Sequence, residues 1–120
     1  MKIVSKEIQD LSIKSLESTF NKLSTAYKSM TEKGLNTTLV KKRRNAVKLG
    51  LESLNAVWNG GEFFYDKEII LTSKDILQSV MASIEKQIAK AKGGSAQKTL
   101  NERRLIALKL VIESLENRLK

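Results

Sequence analysis

Residues 42–54 read KRRNAVKLGLESL and residues 103–115 read RRLIALKLVIESL, with seven of the thirteen positions identical. The same spacing of 61 residues holds over a longer span. Residues 6–54 align with 67–115 without a gap, at 15 identities in 49 positions. Unrelated stretches of that length would share about three. A chain of 120 residues that repeats itself this way is expected to be one domain made from two copies of one shape. The first copy covers about residues 2–54, the second about 63–115, and a linker runs over about 59–71.

Each copy reads as two helices. Leu16, Phe20, Leu23, Tyr27 and Met30 alternate steps of four and three, and their partners Leu77, Met81, Ile84, Ile88 and Ala91 are apolar at every position. The second helix carries Val40, Val47, Leu51, Leu54 and Trp58, and its counterpart helix has Leu105, Leu108, Ile112, Leu115 and Leu119. Between the helices lie EKGLNT (32–37) and KGGSAQ (92–97), where glycine can close a helix. Thr38 and Thr99 are expected as N-caps, with Thr99 and Glu102 forming a capping box. Neither hairpin can bury its apolar seam alone. The expected fold is therefore all-α, an up-down-up-down four-helix bundle of two duplicated hairpins. Phe63-Phe64-Tyr65 aligns with Lys2-Ile3-Val4, so a short β-prone segment is expected near 63–65.

Charge follows the repeat. Residues 22–48 hold eight basic side chains against Glu32, and residues 83–109 hold seven against Glu85 and Glu102. These stretches account for more than the whole net charge of +9. A short linker joins neighbouring ends, so both hairpin tips are expected at one end, forming a basic pole. The run Lys41-Lys42-Arg43-Arg44 would occupy the first turns of a helix, where the dipole disfavours cations. Arg44 falls on the apolar seam, where the second copy has Leu105. Such placement suits an incoming phosphate better than it suits folding. The candidate polyanion-binding residues are Lys33, Lys41, Lys42, Arg43, Arg44, Lys92, Lys98, Arg103 and Arg104. Tyr27 is the only aromatic in these stretches, which argues against a stacking platform for single strands.

Four of the six aromatics, Trp58, Phe63, Phe64 and Tyr65, fall within eight residues. They form either a contact patch or a plug closing one end of the bundle. Catalytic constellations are missing. The chain has no histidine and no cysteine, which removes the usual general base and the commonest metal ligands. The carboxylate pairs Glu7/Asp10 and Glu113/Glu116 lack the helical His partners of a di-metal site. GGSAQKT (93–99) lacks the glycine before lysine that a phosphate loop requires. The expectation is a non-enzymatic protein without metal or cofactor. The cysteine-free, early-charged chain is also expected to be cytoplasmic, with no membrane span.

The leading functional expectation is a binding or regulatory protein whose basic pole contacts nucleic acid or another polyanion. The alternative is a protein-interaction module, an inhibitor, immunity or assembly factor, that docks an acidic protein surface or self-associates. Apolar residues off the main seam, Leu49, Val57, Ile106 and Leu110, favour that alternative. Contact with an anionic membrane surface is a weaker third reading.

Overall fold

A computed structural model describes residues 3–91 and 93–120. Four helices follow one another: α1 (Lys6–Glu32), α2 (Thr38–Asn59), α3 (Lys67–Lys90) and α4 (Ala96–Leu119). Among the described residues there is no strand. The β-prone segment expected near 63–65 is irregular linker, because Phe63 and Tyr65 fold back onto the helices instead of pairing. No helix of the described residues is long and apolar enough to cross a membrane.

The helix ends show the repeat at atomic level. Ser5 and Asp66, 61 residues apart, each accept the N–H three residues on, from Ile8 and Ile69. The caps expected at Thr38 and Thr99 form elsewhere. Ser95 accepts the Lys98 N–H at 3.1 Å, so α4 starts early and Thr99 lies inside its first turn. A short side chain directly after Gly94 caps sooner than Thr99 can, and the Thr99–Glu102 box does not form. At α2 the carbonyl of the Asn36 side chain accepts the Thr38 N–H at 3.0 Å, while Thr37 makes no side-chain cap.

Two seams hold the structure together. Within each hairpin the helices pack antiparallel, α1 on α2 and α3 on α4. Between hairpins, α2 and α4 pack on each other and on the outer helix of the opposite hairpin, whereas α1 and α3 do not approach each other. The inner helices are thus covered on three sides and need a broader apolar face than a heptad seam gives. This is why Leu49 and Leu110, which sequence placed on an interaction face, are buried core residues. Pairs 61 apart line the centre, among them Leu54 with Leu115 and Ala46 with Ala107.

A close approach of the inner helices lies at Gly50 and Val111, which are equivalent positions in the two copies. A Cβ on Gly50 would stand 2.7 Å from Val111 Cγ1. One turn on, Ser53 and Ser114, also equivalent, are buried with their hydroxyls 2.9 Å apart. Ser114 donates its proton to the Val111 carbonyl at 2.7 Å, so Ser53 is the donor between the two serines. Arg118 completes the chain by donating from Nε to Ser53 Oγ at 2.8 Å and from a terminal nitrogen to the Ser53 carbonyl at 3.1 Å. Like residues meeting like residues places a pseudo-two-fold axis between α2 and α4.

The axis sets how the hairpins cross. Lys42, Asn45 and Ala46 of α2 share a cleft with residues 68–76 at the start of α3. On the other side, Ile8, Leu11 and Ser12 of α1 meet Arg103 and Ile106 of α4. Each inner helix therefore passes over both helices of the other hairpin. Near-parallel helices of this length would make a body about 40 Å long in one direction only. The molecule instead measures 39 × 36 × 20 Å, a slab with two long dimensions. The hairpins are joined at their bases and diverge at a wide angle toward their tips.

Gly50 pays for this crossing with helix propensity of about 1 kcal/mol relative to alanine. Gly50→Ala is nonetheless expected to lower the unfolding free energy by about 1–2 kcal/mol, because the stiff Val111 cannot move aside. Combining it with Val111→Ala should leave the double variant at least about 1 kcal/mol more stable than the summed single effects. Denaturant titration of the four proteins measures this, and strict additivity would show that the two positions do not share the crossing.

Candidate polyanion-binding tips

Divergence of the hairpins divides the basic residues between two tips. The first arm holds Lys33, Lys41, Lys42, Arg43 and Arg44, and the second holds Lys98, Arg103 and Arg104, with Lys42 and Arg103 lying nearest the crossing, beside the starts of α3 and α1; Lys92 lies outside the described residues. The single pole expected from the short linker is thereby drawn out into two arms, because the bases meet while the inner helices cross.

At the first tip Lys33, Lys41 and Lys42 are exposed. Arg44 is half-buried on the seam between α1 and α2. Its Nε donates to Ser24 Oγ at 2.9 Å, and its guanidinium sits 4.8 Å from the centre of the Phe20 ring. A serine and a ring face thus replace the apolar contact that Leu105 makes in the second copy. Arg43 and its equivalent Arg104 share another feature: in each, Nε is buried without an acceptor. Arg104 donates from a terminal nitrogen to Asn101 Oδ1 at 3.3 Å, and Asn101, itself buried, donates to Gln87 at 3.2 Å. Burial lowers the Arg104 pKa from its ordinary value.

None of the eight described candidate cations lies within ion-pair distance of a carboxylate. The first turns of the helices show the same polarity. Base-end helices α1 and α3 carry Glu7 and Glu68 there, as the dipole favours, whereas tip-end helices α2 and α4 carry no acid. Both tips therefore combine a positive dipole end with cations that make no ion pair among the described residues.

The aromatic cluster lies at the opposite, base end. Trp58, Phe63 and Tyr65 pack on the core, and Phe63 and Tyr65 are in tilted contact at 5.0 Å. Phe63 covers the Arg118 guanidinium at 3.9 Å, and Tyr65 donates to Glu52. That hydrogen bond, then burial and the Glu52 charge, raise the Tyr65 pKa, while burial lowers that of Arg118. Phe64 alone projects outward, 83% exposed. Sequence did not single out Arg118, since nothing in the repeat marks it: its counterpart is Val57. It did not single out Leu35 and Leu39 either, which are exposed at the first tip. The signal for those two was their position, among the lysines of an interhelical turn.

Comparison of the chain with protein-family models, with curated proteins and with solved structures finds no match.

Arg44 separates fold from site. Arg44→Leu installs the residue of the second copy, and its unfolding free energy is expected to stay within about 1 kcal/mol of the parent, since an apolar replacement of a half-buried charge is well tolerated. Equilibrium denaturation checks this; a loss above about 2 kcal/mol would make Arg44 a structural residue.

Proposed function

We propose that the chain is a non-enzymatic binding protein whose two basic tips contact a polyanion, with nucleic acid the foremost candidate. The observation that carries this reading is the accumulation of cations without ion pairs at the two tip-end helix N-termini. Folding gains nothing from that arrangement, and the base-end helices of the same molecule carry the opposite one. Phosphate oxygens would satisfy both the dipole and the guanidinium groups of Arg43 and Arg104. Lys41, Lys42, Arg103 and Lys33 supply further charge without base recognition, so binding should be governed by counterion release. Half-burial of Tyr27, the sole aromatic in the basic stretches, supports phosphate contact over base stacking.

A second reading rests on the base end. Phe64, Val57 and Leu71 are 83%, 45% and 49% exposed there, and an acidic partner protein or a second copy would cover them.

Binding to mixed DNA and RNA across a salt series distinguishes the two. Affinity is expected to fall linearly with log salt, and Lys41→Gln/Lys42→Gln/Arg43→Gln to flatten that line by about two to three in slope on duplex DNA. Absence of salt-dependent binding, or an unchanged slope in the variant, would remove the nucleic-acid reading. A loss of self-association on Phe64→Ser, measured by sedimentation, would support the second reading in its place.

A further inference from the structure

The two tips differ in a way that charge does not explain. At the first, Leu35 and Leu39 are 55% and 60% exposed. The turn that presents them is held on both sides. Gly34 takes φ +72°, and the N–H groups of Gly34 and Leu35 bond to the Thr31 and Met30 carbonyls at 3.1 and 2.9 Å. On the far side, Asn36 caps Thr38. At the second tip, the counterparts of these leucines are Ala96 and the half-buried Leu100, next to Gly93 and Gly94. One tip thus offers two exposed leucines on a held turn, flanked in sequence by lysines, and the other has no exposed leucine among its cations.

We infer that the first tip enters the minor groove of double-stranded DNA, with Leu35 and Leu39 wedged at a base step and Lys33, Lys41 and Lys42 on the flanking phosphates. The inference rests on the polyanion reading above and deepens it by naming the form of nucleic acid and the contact.

The residues between the leucines decide for a groove over a lipid surface. Asn36 spends only its carbonyl oxygen on the cap, which leaves the amide hydrogens unengaged, and the Thr37 hydroxyl makes no cap bond. Hydrocarbon would strip these donors of water with nothing in return. A minor-groove floor presents adenine N3 and thymine O2 as acceptors at that depth. The groove, about 6 Å wide, admits side chains but not a helix, so seating two leucines requires the step to open and the duplex to bend. The second tip, with Lys98, Arg103 and Arg104 and no exposed leucine to insert, then holds phosphates farther along the same duplex.

The test uses the full chain and a short A·T-rich duplex carrying end dyes and a central 2-aminopurine. Wild type should shorten the end-to-end distance and raise the 2-aminopurine fluorescence. Leu35→Ser/Leu39→Ser should bind about tenfold more weakly at every salt concentration, with unchanged salt slope and no bend. Lys41→Gln/Lys42→Gln should flatten the slope yet still bend the duplex at saturation. Both leucines are exposed, so thermal unfolding serves as the control that each variant is folded. Equal binding and bending by the leucine variant, or wild-type binding without bending, would overturn the wedge and leave the polyanion reading intact. Preference for phosphatidylserine vesicles over the duplex, lost in the leucine variant, would overturn it in favour of a lipid surface. No salt-dependent binding by wild type would remove the polyanion reading itself and the wedge with it.

Discussion

The close approach of α2 and α4 at Gly50 and Val111 is the contact on which the rest of the structure depends. Two valines would collide at this point and two glycines would leave a void, so the duplicated chain is asymmetric at its own axis. Directly below, the Ser53–Ser114–Arg118 chain leaves no hydroxyl unpaired, which is what permits polar groups at the centre of a small core. Small residues at the crossing let the inner helices touch, and the outer helices then wrap across them without meeting each other.

Function follows from that geometry through electrostatics. Because the bases are joined and the tips diverge, the apolar linker closes one end, and the cations collect where packing is thinnest. Leu16 and Leu77 are fully covered, whereas the side chains toward Met30 and Leu39 are only partly covered or exposed. The tips are thus supported chiefly by their own hairpins, and their charges cost the core little. An exposed cation on a helix end loses at most about 1 kcal/mol to the dipole. Arg44 shows the boundary between the two regimes, since it is fitted into the seam by Ser24 and Phe20.

Much of this was legible in the chain. A two-fold pattern of identities implies two like halves, and a step of three and four implies helices, so four helices in two hairpins follow from local physics. What was not legible depends on contacts between halves. Leu49 and Leu110 read as surplus on a two-sided seam and became core once the inner helices were covered on three sides. The crossing angle was hidden because linker length restricts which ends adjoin and says nothing of direction beyond them. Cap positions moved for a local reason, as Ser95 takes the Lys98 N–H and so starts α4 before Thr99, which is left inside its first turn. The candidate cations were legible as a charge run. Their lack of carboxylate partners was not, because that depends on where the acids of the other helices fall.

The central claim is that crossing of the inner helices holds the two basic tips apart. The chain has no cysteine, so Asn36→Cys and Gln97→Cys, equivalent positions at the two tips, can be spin-labelled and their separation measured by pulsed electron resonance. The account predicts one well-defined distance, well above about 20 Å. A distance near the interaxial spacing of about 10 Å would mean that the hairpins run side by side, and would contradict it.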